Sequence, residues 1–199
     1  MRPIELTDVG PPPLEVPDEC PRIEAGEFEA RIDSLLAAVD ADWVVVYGDR
    51  EHAASLMYLC NLDPRFEEAL LVLGRGRRVL LLGKEDVGYT PVVPIDIETV
   101  CCPTLSLMGI DRAGGPTVEE CLRDVGIGRG DRVGVVGWKA LQEDEWNGEL
   151  PAIFAPAFFV DTLRSITGRP ELVVDATSAL TSPCNGLRTF SSADQIAVF

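Results

Sequence analysis

The chain has 199 residues, 46% of them hydrophobic, with 33 acidic against 17 basic side chains and a net charge of −16. That length supports one α/β domain withdrawing about 70% of its unfolded surface from water, and the apolar content excludes a disordered chain. A field this negative repels phosphate backbones and anionic lipid, so neither nucleic acid nor a membrane is an expected partner.

Residues 1–24 carry Pro11-Pro12-Pro13, Pro17 and Pro21 without any period, the pattern of an extended arm. The N-terminus has prolines and acids in place of a signal peptide's apolar run. The longest apolar stretch, Leu150 to Val160, is broken by Pro151 and Pro156 and falls far short of the ~20 residues of a membrane span. A cytoplasmic protein is the expectation. Cys20, Cys60, Cys101, Cys102, Cys121 and Cys184 form no C-x-x-C, so six reduced thiols go with it.

From Phe28 the pattern turns helical, with Ile32, Leu35, Leu36 and Val39 on one face. Trp43 to Tyr47 is a β-branched run closed by Gly48-Asp49, hence a buried strand. A helix is expected over Arg50 to Leu59, then a turn at Asn61-Leu62-Asp63-Pro64. Glu68 to Leu73 and Arg78 to Leu82 read as a hairpin joined by Gly74-Arg75-Gly76-Arg77. Pro91 and Pro94 demote the next segment to an edge, and Ile95 to Cys102 is a further strand. Thr117 caps a helix through Val125, with Glu119 and Glu120 in its first turn. A strand over Arg132 to Val136 follows. A helix over Leu150 to Phe159 should open at Pro151 and kink or end at Pro156. Leu172 to Asp175 is the last strand, and Ser178 to Leu187 a short helical or turning segment. This order specifies an α/β fold, a mixed β-sheet with flanking helices.

The chain stops on an unfinished pattern. Ser192 and Gln195 make a capping box, and Ile196 and Phe199 begin an apolar stripe that no closing Gly or basic turn follows. Residues 191–199 therefore read as the start of a helix belonging to a further domain.

Local chemistry is sparse. His52 is the single histidine, which excludes any site built from several. It stands in Asp49-Arg50-Glu51-His52, where a surface or capping role is the ordinary one. Gly126-x-Gly128-x-Gly130 precedes a strand, so it is a turn and not a dinucleotide fingerprint. The arginines at 75, 77 and 78 could meet an anion but suit a solvated hairpin tip. Glu67 and Glu68 alternate across a strand and cannot act as a catalytic pair. The acids Glu143-Asp144-Glu145 beside Trp138 and Trp146 form a solvated loop or a binding lip. On these residues alone the chain is a non-catalytic α/β domain.

Tyr58-Leu59 and Asp63-Pro64-Arg65-Phe66, with a strand and short helix before them and a hairpin after, resemble the N-terminal domain of the creatinase, prolidase and Xaa-Pro aminopeptidase family. Cys60-Asn61-Leu62 departs from the usual Thr-Gly-Phe. The tail Leu187-Arg188-x-Phe190-Ser191-Ser192-Ala193-Asp194-Gln195-Ile196 is similar to that family's Leu-Arg-x-Val-Lys-Ser-Pro-x-Glu-Ile junction, with Ser191 and Gln195 replacing Lys and Glu. The resemblance covers residues 25–199. It implies a ribonuclease-H-like sheet over residues 25–190, and a C-terminal catalytic domain beyond Phe199. That domain would hold two divalent ions (Mn, Co or Zn) on two Asp, one His and two Glu. It also implies a homodimer in which the loop Cys60 to Phe66 limits a partner subunit's peptide substrate. Leu62, Asp63 and Arg65, with His52 nearby, are the candidate rim residues; no metal or catalytic residue is assigned here. A self-standing interaction module without a catalytic half is the other reading.

Overall fold

The computed structural model describes residues 7, 10, 21–142 and 144–198. Most of the expected N-terminal arm, with Cys20, lies outside the described residues, as do Glu143 and Phe199.

Six strands form one mixed sheet in the order β4-β3-β2-β1-β5-β6. They are β1 (Trp43–Gly48), β2 (Ala69–Gly74), β3 (Arg77–Leu82), β4 (Glu98–Cys101), β5 (Val133–Val136) and β6 (Val173–Asp175). β1 pairs antiparallel with β2 and parallel with β5. β2 pairs antiparallel with β3, while β3–β4 and β5–β6 are parallel. Only β2 runs against the other five, so five strands end, and β2 begins, at the same end of the sheet. The mixed sheet with flanking helices matches the expected fold class.

Alternation along the strands feeds two cores. Val44 and Val46 face α1 (Ala25–Ala38) and α2 (Ala54–Cys60) through Phe28, Ile32, Leu35, Leu56 and Leu59. Trp43, Val45 and Tyr47 face α3 (Val118–Val125) and α4 (Ala157–Thr167) through Leu122, Val125, Phe159 and Leu163. The sheet is thus the middle of three layers. Thr117 caps α3 as expected, in a full capping box with Glu120.

Several boundaries differ from expectation. α4 starts after Pro156 and runs to Thr167, where a helix over Leu150 to Phe159 was expected. Pro156 stands at the N-cap, where its missing N–H costs nothing, and the buried stripe Phe159, Val160, Leu163, Ile166 lies wholly beyond it. α2 starts at Ala54, not Arg50, because Asp49 turns the chain first. The hairpin closes more tightly than a four-residue connector: Gly74 pairs with Arg77, leaving Arg75 (φ 48°) and Gly76 (φ 75°) as a two-residue turn. Positive φ at both is the primed-turn pattern.

The two motifs that carry the resemblance meet in space. Tyr58 Oη donates to the Leu187 carbonyl at 2.9 Å, and Arg188 lies 3.4 Å from Ser55 Oγ. Arg31, nearly buried, donates to the Tyr58 carbonyl, pairs with Glu27 and stacks its guanidinium 4.3 Å from the Tyr58 ring centroid. After the single turn of α5 (Ser178–Thr181), the last helix, α6 (Ala193–Val198), docks on α1 through Ser192–Glu27 and Gln195–Arg31. Ser192 Oγ accepts from the Gln195 amide, which is the capping half of the expected box. Ile196 remains 63% exposed. No helix among the described residues is long and apolar enough to cross a membrane.

Two outcomes follow. Arg31→Ala should cost about 2–3 kcal/mol, since it leaves Glu27 and the Tyr58 carbonyl without their charged donor; urea denaturation monitored by far-UV circular dichroism measures it. Cys60, Cys101, Cys102, Cys121 and Cys184 are free thiols. With Cys20 expected reduced as well, alkylation of the denatured protein without reductant should add six groups per chain by mass.

Candidate functional site

Strand order reverses at β1: β2, β3 and β4 lie on one side, β5 and β6 on the other. Ligands of open α/β sheets gather beyond the strand ends at such a point. Here the segments after β1 and β5 carry Asp49, His52, Trp138 and Lys139.

Asp49 organises this end. Its carboxylate accepts from the Glu51 and His52 amides at 2.9 and 2.8 Å, from His52 Nδ1 at 2.9 Å and from Tyr47 Oη at 3.0 Å. Burial pushes the Asp49 carboxyl up, but the hydrogen bonds from His52, Tyr47 and Glu51 outweigh it and hold it below its ordinary value. The same surroundings, burial first and then Asp49, push the Tyr47 phenol far up, so it remains a donor. With Asp49 as acceptor, Nδ1 carries the His52 proton and Nε2 is the free edge. The imidazole stacks on Trp138 at 4.4 Å and 23°. Phe154 meets Trp138 edge-on at 6.1 Å, and Lys139 Nζ lies 5.1 Å over the Phe154 ring. His52 is thus more than a surface cap: it is oriented by a carboxylate and an indole.

The loop after α2 lies at the same end. Asn61 ends α2 at φ 60° and donates from Nδ2 to the Val92 carbonyl. Leu62, expected on the rim, is fully buried; it fills the core between α2 and the sheet, so the rim assignment is corrected for it. Arg65 is 65% exposed and pairs with Asp63 at 3.2 Å. Glu67 and Glu68, its other acidic neighbours, divide. Glu68 is exposed, whereas Glu67 is 3% exposed and turned inward. Its Oε2 accepts from the Glu85 and Asp86 amides and its Oε1 from Leu107. Gly83 is obligatory beneath it, because a Cβ there would lie 2.0 Å from Oε2. Phe66 packs 5.9 Å from Tyr89 on the 3₁₀ segment Asp86–Val92. Asp49 to Glu51 and Phe66 to Glu68 line one cleft of about 470 Å³, with Leu107, Met108 and Arg112 opposite. Arg65 and His52 each adjoin this cleft by one residue in sequence.

Sequence reasoning did not single out Asp86, and took Glu67 only as one of two acids on opposite faces of a strand. The available signal was the alternation of Glu67 and Glu68 at a strand start, which turns one of them inward. The hairpin arginines, by contrast, are engaged by protein groups: Arg75 by Asp131 at 2.5 Å, Arg77 by Glu98, Arg78 by Glu29. No group of three or more His, Cys, Asp or Glu side chains that could hold a metal ion is found among the described residues.

No family model matches the chain, and no curated protein matches it in sequence. Solved structures do match in shape. The chain shares its fold with prolidase-type enzymes. Dipeptidase PepE from Mycobacterium ulcerans aligns at TM-score 0.50 and 18% identity, over 88% of this chain and 40% of that one. Xaa-Pro dipeptidase from Bacillus anthracis aligns at 0.51 and 12%, over 85% and 38%. The prolidase from Pyrococcus horikoshii aligns at 0.51 and 10%, over 84% and 37%. The chain therefore spans about two fifths of the length of these structures.

The pH dependence of Asp49 has a definite sign. A carboxyl whose pKa is depressed by folding contributes stability above its unfolded value and loses it as pH falls through the folded one. Asp49→Asn should flatten the loss of thermal stability between about pH 5 and pH 3, measured by calorimetry.

Proposed function

We propose that this chain is the non-catalytic N-terminal domain of a metal-dependent Xaa-Pro peptidase. In this reading it dimerises and supplies the rim that bounds a partner subunit's substrate. The observation that carries the reading is the shared fold with an Xaa-Pro dipeptidase and a prolidase, each about two and a half times as long as the matched region. The position of Arg65 supports it. Pro64 is buried and fixes the turn, so Arg65 projects from the end of the sheet and, among the described residues, pairs with Asp63. A guanidinium there suits the carboxylate of a short peptide, which it can grip through two parallel hydrogen bonds. Phe66 and Tyr89 beside it offer an apolar wall to a proline ring. The Asp49 turn, which His52 closes, forms the second flank of the cleft. The metal chemistry in this reading belongs to the C-terminal domain, which brings Mn, Co or Zn with its own ligands.

The test uses the complete protein expressed from its gene. Xaa-Pro dipeptides should be hydrolysed in the presence of Mn²⁺, while residues 1–199 alone give no metal-dependent turnover. Arg65→Ala should raise KM for dipeptides roughly tenfold, the worth of a charge-assisted hydrogen bond, with kcat and metal content unchanged. Identical kinetics for dipeptides and tripeptides in the variant and the parent would reduce Arg65 to a surface ion pair.

A further inference from the structure

Asp86 is the one side chain at this end whose burial the reading above leaves unexplained. It is 0% exposed at the start of the 3₁₀ segment Asp86–Val92, and neither carboxyl oxygen has a hydrogen bond of normal geometry. The charged groups that act on it are anionic: Glu67 first, then Asp63 and Glu85. Glu67 already spends its carboxylate on three backbone amides, from Glu85, Asp86 and Leu107. Those amides are then taken, and a charge on Asp86 beside Glu67 is unfavourable. Burial and Glu67 together push the Asp86 carboxyl up to about 6, and the Glu67 backbone amide relieves this only in part.

The segment that Asp86 opens is what holds the loop. Asn61 Nδ2 binds the Val92 carbonyl at 2.9 Å, and Phe66 packs on Tyr89 at 5.9 Å. Both ends of residues 61–66 therefore rest on residues 86–92. Lys84, the nearest cation in sequence, turns its ammonium to the Asp111 carbonyl.

We propose that neutral Asp86 is a proton-operated catch: while protonated it keeps residues 86–92 closed against the loop 61–66, and its ionisation releases that loop. The catch is a property of this chain. Its use, setting how firmly Arg65 and Phe66 are presented to a substrate, rests on the rim reading. The sign is fixed by linkage. The closed state holds the proton more tightly than the open one, so closure weakens as pH rises from the ordinary carboxyl range through the folded value.

Hydrogen exchange on the 199-residue chain tests it. Protection of the amides of 61–66 and 86–92, corrected for intrinsic exchange, should fall about tenfold from about pH 5 to pH 7.5. Asp86→Asn, neutral at every pH, should keep these segments protected throughout. Protection that is flat in the parent, or that falls equally in the variant, overturns the catch. Should the variant fold poorly, a carbon-detected titration of the Asp86 carboxyl in the parent decides. A midpoint near 6 supports the proposal, and one in the ordinary carboxylate range overturns it. Neither failure touches the Arg65→Ala kinetics, so the catch and the rim stand or fall separately.

Discussion

The architecture depends on β1 having no free edge and no free face. Every residue of Trp43–Gly48 is buried, with β2 on one side, β5 on the other and a helical layer above and below. Each of Val44, Val45 and Val46 contributes on the order of 2 kcal/mol by leaving water. A strand so enclosed can act on its surroundings only at its end. The opposite directions of β2 and β5 relative to β1 decide which end that is. They bring the Asp49 turn, the start of β2 and the segment after β5 together, while the hairpin tip goes to the far end with Asp131 and Arg132.

That far end is a latch. Asp131 accepts from Trp43 Nε1, from the Gly128 amide and from Arg75, whose guanidinium also lies 5.6 Å over the Trp43 ring. Arg75 has a positive φ without being glycine, a strain of about 1 kcal/mol that this ion pair and ring contact offset. In a chain of net charge −16 the few cations are thus largely committed: Arg75, Arg77 and Arg78 to the hairpin, and Arg31 to the α1–α2–α6 contact. Arg65, paired with half-exposed Asp63, stands at the opposite end beside the cleft that Arg50 and Arg112 line.

What the sequence made legible was whatever a few consecutive residues decide. The run Trp43 to Tyr47, the Thr117–Glu120 capping box and the hairpin between β2 and β3 each carry their signal within about six residues. α4 was misplaced because Pro156 is compatible with ending or starting a helix, and only the buried stripe beyond it, packed on the sheet, chooses. Leu62 was misassigned because its neighbours Asn61 and Asp63 are polar, as rim residues are; its burial depends on α2 and the sheet meeting beneath it. The Asp49–His52–Trp138 group was half legible. Asp49 and His52 are three residues apart, but Trp138 joins them only through the parallel pairing of β1 with β5.

Glu67 and Asp86 show why the remainder was hidden. They are the same functional group and both are buried, yet only one of them finds hydrogen-bond donors. Glu67 lies where three amide dipoles converge, at the start of a 3₁₀ segment and the Leu107 turn. Asp86, whose own amide is one of those donors, has no comparable set left for its side chain. The convergence needs Gly83 to leave room and needs the segment around Leu107, which arrives from beyond β4. No spacing of acids along the chain encodes that geometry. A carboxylate that consumes the local donors makes its neighbour expensive to ionise, and the fold places that neighbour under the loop bearing Arg65.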